Sequence, residues 1–321
     1  MTDFIHQNPD GSYTRISMPS TPPSPDPTSL SAVLSKDVTL NPTRNTWVRI
    51  YLPSKAVLAD NSSTTTAHNK LPLIVYYHGG GFVFTHVSTS LNHGFCDTMA
   101  AQLDAVVVSV EYRLAPESRL PAAYDDAMEA LDWVKSTDES WVRQFADISN
   151  CFLMGTSAGG NIVYHVGASA SAPASVEQLA PLNIRGLIFH HPFFGGVART
   201  DSEIRGVDDL VIPRVTTDLL WELGLPIGAD RDHKYSNPTA DDQWSSNCAR
   251  IKELGWRLLV AGGDRDPVFD RQMEFVEKLE KNGVSVISHF FPGNPHGVEI
   301  TDPSTAPVLF VLLKKFINND M

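Results

Sequence analysis

Between Leu71 and Phe291 the chain carries six short, mostly apolar runs: LPLIVYY (71–77), AVVVSV (105–110), CFLMG (151–155), IRGLIFH (184–190), WRLLVAG (256–262) and VSVISHFF (284–291). A strand with one wet face alternates apolar and polar residues. These runs do not, which is how parallel strands covered on both faces read. Amphipathic stretches fill the gaps. Over 121–135, Ala123, Ala127, Ala130, Leu131 and Val134 share one helical face, with Asp125, Asp126, Glu129 and Asp132 opposite; 268–281 repeats the pattern with Phe269, Met273 and Val276. A last apolar helix is predicted near 304–318, where Lys314 and Lys315 suit the negative end of the helix dipole. Strands alternating with helices predict an α/β fold, a mostly parallel central sheet with helices on both faces; the length sets two domains as the default, although open α/β folds often run longer as one unit.

Three segments depart from this rhythm. Residues 18–28, MPSTPPSPDPT, hold five prolines and predict an extended arm, because proline removes amide donors and blocks helix and central strand. TWVRIYL (46–52) alternates as a half-buried strand does, and 54–70, rich in Ser, Thr and Asn, reads as a polar loop. The interval 192–255 is too long for an ordinary connection and holds one helical segment, 215–223. It predicts an insertion across one end of the sheet.

Composition narrows the function. With 25 basic and 37 acidic residues the net charge is −12, which works against nucleic acid and anionic membranes as partners. No apolar stretch approaches the roughly 20 residues of a membrane span, and the N-terminus lacks a basic region followed by an apolar one, so a cytoplasmic protein is expected. Cys96, Cys151 and Cys248 are far apart and odd in number, and read as free buried thiols. The histidines form no metal-type spacing, and adjacent His190 and His191 would project differently from a regular element; neither a metal nor a cofactor is expected.

The chemistry concentrates at strand ends. Gly155-Thr156-Ser157-Ala158-Gly159 follows the run CFLM directly and precedes a helix-compatible stretch, the context of a nucleophile elbow. Small residues at 155 and 159 let a strand turn sharply into a helix and leave Ser157 exposed at the helix N-terminus. A serine hydroxyl needs a base to take its proton and a carboxylate to orient that base. Both candidates lie in turns after later apolar runs. GDRDP (263–267) offers Asp266, with Asp264 in reserve, and PGNPHG (292–297) offers His296. LPLIVYY runs into His78-Gly79-Gly80-Gly81-Phe82, where the amides of Gly80 and Gly81, with that of Ala158, are the expected oxyanion donors and Gly79 supplies the turn.

These motifs resemble a known family. HGGGF, EYRLAPE (111–117), LPAAYDDA (120–127) and GTSAGGN (155–161) look like the hormone-sensitive-lipase branch of the α/β-hydrolases. The arm STPPSPDPT, the stretch SKDVTLNPTRNTWVRIYLP and GADRDHKYSNPTA (228–240) resemble its plant carboxylesterases, nearly over the full length. The resemblance implies an α/β-hydrolase fold in one domain over residues 1–321 and a triad of Ser157, Asp266 and His296. It also implies an oxyanion hole at the HGGG glycines plus Ala158, and a cap from the N-terminal arm (about 1–40) and an insertion (192–240). Hydrolysis of small-molecule esters with short acyl groups on plant metabolites, through an acyl-enzyme, is the implied activity. Thr156 departs from the acidic residue usual in the family. Non-hydrolytic members set the alternatives: receptor-like proteins that lose the histidine base, dehydratases with threonine at the nucleophile, and cyclases that reuse the pocket. Phe82, His190, His191, Phe193 and Trp221 are expected to line the substrate pocket, and Arg113 to pair with Glu117.

Overall fold

A computed structural model describes residues 4–28, 31–62 and 70–321. Eight strands form one sheet: β3 (Val33–Asn41), β4 (Thr46–Pro53), β5 (Leu71–Tyr77), β6 (Val106–Glu111), β7 (Ala146–Thr156), β8 (Ile184–His190), β9 (Arg257–Gly263) and β10 (Val286–Phe291). A separate hairpin pairs β1 (Ile5–Gln7) with β2 (Tyr13–Arg15). The sheet order is β10-β9-β8-β7-β5-β6-β4-β3. Only β4 runs against its neighbours; all other pairs are parallel.

The six apolar runs are six adjacent strands, and their lack of alternation follows from cover on both faces. Leu73, Val75 and Tyr77 of β5 join one core with helices Ala122–Ser136, Ala158–Ala170 and Phe269–Lys281, while Ile74 and Tyr76 join the other with helices Ser90–Leu103 and Ala306–Asn318. From β5 the chain order goes outward both ways, to β6 on one side and β7 on the other. Such a switch opens a crevice at the carboxyl ends of the strands.

Five expectations are corrected. Residues 33–41, placed with the arm in a cap, form the sheet's edge strand, because Val33, Leu34 and Ser35 are buried where β3 pairs with β4. β4 is buried along nearly its whole length rather than half-buried. Its Arg49 is 1% exposed, with Nε 2.6 Å from Asp37 Oδ1 and Nη1 donating to the carbonyl of Thr21 at 2.7 Å, so the polar residue in the pattern anchors the arm instead of facing water. Residues Ser54–Ser62 of the expected polar loop are helical, and its remainder up to residue 69 lies outside the described residues. Asp126 sits on the buried side of its helix, where Arg113 holds it through Nε and Nη2 at 2.7–3.0 Å; Glu117 pairs with Arg15 of the hairpin instead.

The proline arm is extended, as its composition requires. The amide of Thr21 donates to Ser88 O at 2.9 Å and that of Ser90 to Pro19 O at 2.8 Å, which lays the arm beside the loop after β5. The 192–255 interval holds helices Asp201–Arg205, Arg214–Gly224 and Trp244–Glu253. The three cysteines are free and buried, and among the described residues no helix is long and apolar enough to cross a membrane.

Candidate active site

Ser157 begins the turn from β7 into helix Ala158–Ala170 at φ 57°, ψ −118°, a conformation costly for a residue with a Cβ. The surroundings hold it there: its amide donates to His190 O at 2.9 Å, and its carbonyl accepts from Phe193 N at 3.0 Å. The turn is so tight that a Cβ on Gly155 would stand 2.1 Å from Gly159 O, and one on Gly159 would stand 1.9 Å from Tyr77 O. Both positions therefore require glycine.

Three strand ends meet at this serine. His296 Nε2 lies 2.9 Å from Ser157 Oγ, and His296 Nδ1 lies 2.7 Å from Asp266 Oδ2. Asp266 is 1% exposed; its Oδ1 accepts from Val268 N at 3.0 Å and its Oδ2 from Gln272 Nε2 at 2.9 Å. Burial by itself would raise this carboxyl, but the charges and hydrogen bonds of His296 and His191 prevail and hold it far below the usual carboxylate range. Asp264, the reserve acid, is exposed and accepts from Gly293 N at 2.7 Å, so its carboxylate braces the histidine loop rather than the imidazole.

The glycine loop after β5 packs on the same serine. A Cβ on Gly79 would stand 3.3 Å from Ser157 Cβ. Gly80 and Gly81 take φ +101° and +60°, and a Cβ on Gly80 would stand 1.9 Å from Phe84 O, so the turn admits no side chain there. All three glycines line, with Ser157 and His296, a cavity of about 190 Å³. Its wall comes from the arm (Met18), from the insertion (Val211, Ile212, Leu220), from Phe84 and Phe193, and from Ile300. Among the described residues, no Asp, Glu, Lys or Arg lines it.

Of the five residues expected at the pocket, only Phe193 lines it. Trp221 is one layer behind, stacked on Phe193 with centroids 4.6 Å apart and planes 4° off parallel, and Phe82 packs on Trp221. His190 and His191 are wholly buried, on the side of Asp266 and His296 away from the cavity. They also converge rather than diverge: His191 leaves the strand at φ 46°, and both Nε2 atoms point at Glu299 Oε2, at 3.2 and 3.1 Å. His191 Nδ1 in turn lies 2.8 Å from Asp266 Oδ2. Burial alone would lower His191, but hydrogen bonds to Asp266 and Glu299 bring it up to about 9, whereas burial wins at His190 and lowers it. Thr156 Oγ1 accepts from Tyr76 OH at 2.9 Å and sits 2.9 Å from His190 Nδ1, so the departure at 156 is absorbed by a hydrogen-bonded chain. Two sets, His190/His191/Glu299 and His191/Asp266/His296, bring possible metal-ligand atoms within 4.8 Å, but these atoms already pair with one another. Glu299 carried no sequence signal beyond its place three residues after His296.

Residues 74–300 match the α/β hydrolase fold family. The chain is 51% identical over 315 residues to carboxylesterase 20 of Arabidopsis thaliana, covering 98% of this chain and 94% of the relative. It is 42% identical over 293 residues to 3-O-acetylpapaveroxine carboxylesterase CXE1 of Papaver somniferum, covering 89% and 88%. An esterase from Pyrobaculum calidifontis superposes with TM-score 0.71 at 24% identity, covering 89% of this chain and 84% of that one, a likeness of fold. Esterase LipW of Mycobacterium marinum superposes with TM-score 0.71 at 26% identity, covering 91% and 83%. By its fold, its motifs and its relatives, the chain belongs to the α/β-hydrolase fold family and, within it, to the plant carboxylesterases.

Proposed function

We propose that the protein is a serine carboxylesterase in which Ser157 is the nucleophile, His296 the general base and Asp266 the carboxylate that orients it. The observation that carries this reading is the continuous line Ser157 Oγ, His296 Nε2, His296 Nδ1, Asp266 Oδ2, at 2.9 and 2.7 Å, whose Ser157 end opens into an apolar cavity. His296 takes the serine proton as Ser157 Oγ bonds to the ester carbon, and the amides of Gly80, Gly81 and Ala158 receive the negative oxygen. Collapse of the tetrahedral intermediate breaks the ester C–O bond, and His296 returns its proton to the leaving alcohol. A water, deprotonated by His296, then hydrolyses the acyl-enzyme and restores Ser157.

The cavity supports neutral esters with short acyl groups. At about 190 Å³ it is smaller than the roughly 300–1,000 Å³ pockets that enclose drug-sized ligands, and a charged acyl group would lose hydration without gaining a counterion. Met18 and the insertion residues Val211, Ile212 and Leu220 act as the cap that excludes water from the intermediate. Plant metabolites acylated with small groups, in the cytoplasm, are the proposed setting. The test is turnover of p-nitrophenyl acetate and butyrate by the protein and by its Ser157→Ala variant. Absence of turnover in the folded parent protein would refute the reading.

A further inference from the structure

His191 is wholly buried, yet each of its ring nitrogens faces a carboxylate oxygen: Nδ1 is 2.8 Å from Asp266 Oδ2 and Nε2 is 3.1 Å from Glu299 Oε2. A neutral imidazole has one donor and one acceptor, and an ionised carboxylate only accepts, so a neutral ring would set a lone pair against one of these oxygens. The surrounding groups leave little room for a proton on either acid. Asp266 Oδ2 already takes His296 Nδ1 and Gln272 Nε2, at 2.7 and 2.9 Å. Glu299 takes Asn294 Nδ2 at 3.0 Å on Oε1 and His190 Nε2 at 3.2 Å on Oε2. His190 is neutral in this scheme, because the Tyr76 hydroxyl donates to Thr156 Oγ1 and the Thr156 hydroxyl then donates to His190 Nδ1, leaving the proton on Nε2. Proton counting along the chain closes with two protons on His191.

We propose that His191 is a positioning residue of the esterase, an imidazolium bridging Asp266 and Glu299 that clamps the triad carboxylate and, by sharing Asp266 Oδ2 with His296, opposes a second positive charge beside it. This rests on the Ser157–His296–Asp266 reading. The direction follows from Coulomb's law: the rings of His191 and His296 are 5.4 Å apart, so a cation at His191 opposes a second one at His296. The titratable groups that face His191 are Asp266 from the turn after β9, Glu299 from helix Val298–Thr301, His296 from the loop before that helix, and His190 from its own strand. Helix Phe269–Lys281 contributes the uncharged Gln272. Raised proton affinity at His191, through its bonds to Asp266 and Glu299 and against burial, agrees with this charge.

The test is kcat/KM for p-nitrophenyl butyrate as a function of pH, for the parent protein and for His191→Gln, which keeps a donor toward Asp266 without the charge. The acid limb of the profile should move up by about one pH unit in the variant. A uniform loss of activity with an unmoved limb, the result of a purely structural role, would overturn the proposal. Ring-nitrogen NMR of the parent protein at about pH 8 decides the charge even when the variant does not fold. A doubly protonated imidazole with Overhauser contacts to His296 supports it, and a singly protonated ring there overturns it. A parent protein that turns over no ester refutes the hydrolase reading instead, while the spectrum still decides His191.

Discussion

Ser157 Oγ and His296 Nε2 stand 2.9 Å apart although 139 positions separate them in the chain. Ser157 comes from the centre of the sheet and His296 from the loop after its edge strand β10, so their contact depends on the stacking of β7, β8, β9 and β10 in register. Ser157→Ala should therefore lower kcat by about 10³ or more with the fold intact, as for one member of a unit. An organophosphate should add one equivalent, and peptide mapping by mass spectrometry should find it on the peptide holding Ser157.

The two aspartates after β9 should separate cleanly. Asp266→Asn should cost about 10² to 10⁴ in kcat, because the amide leaves His296 in the wrong tautomer. Asp264→Asn should cost under about tenfold, since Asp264 contacts Gly293 N and not the imidazole. Esterase assays of both purified variants check the ranking.

Acyl-length preference should be set by Ile300. Ile300 and Leu91 line both the main cavity and a second one of about 160 Å³ between helices Ser90–Leu103 and Ala306–Asn318. Ile300→Ala should join the two and raise kcat/KM for an octanoyl ester relative to a butyryl ester by about tenfold, the scale a few methylenes contribute. A series of p-nitrophenyl esters of increasing chain length measures it.

Two glycines on helices should respond in opposite directions. Gly159→Ala drives a Cβ to 1.9 Å from Tyr77 O and should cost about 3 kcal/mol or more, or prevent soluble expression. Gly94→Ala, exposed within helix Ser90–Leu103 with nothing within 4 Å of its Cβ, should stabilise by about 0.5–1 kcal/mol. Urea unfolding reads both.

Acid stability should depend on His165, which burial among Tyr124, Tyr164 and Tyr235 lowers to about 3. The unfolded ring, with its ordinary value near 6.5, binds a proton that the folded ring refuses, so stability falls as pH drops below about 6.5 and continues to fall down to about 3. Between about pH 7 and 5 this residue should cost about 2 kcal/mol, and His165→Phe should lose that much less over the same interval. Among the described residues His165 Nε2 has no hydrogen-bond partner, so phenylalanine gives up no bond at that atom.

The local pattern determined the architecture and the position of each chemical group along the chain. Continuous apolar runs are strands when both faces are covered, and a glycine pair around Ser157 is a turn too tight for side chains, because periodicity and backbone sterics act over a few residues. The turn at Ser157, the glycine loop and the loops carrying Asp266 and His296 were legible for that reason, and their meeting at one sheet end follows from the parallel order. Which groups touch was decided only by the tertiary structure. Asp266 rather than Asp264 faces His296, Arg113 reaches Asp126 rather than Glu117, and Arg49 turns inward to the arm. His190 and His191, read as pocket residues, instead meet Glu299 behind Asp266 and His296, because β8 ends at His190, His191 takes a positive φ, and the helix carrying Glu299 returns from more than a hundred residues away. Pairings across such distances depend on the packing of whole elements, and nothing in the local sequence encodes which side chain waits on the other side.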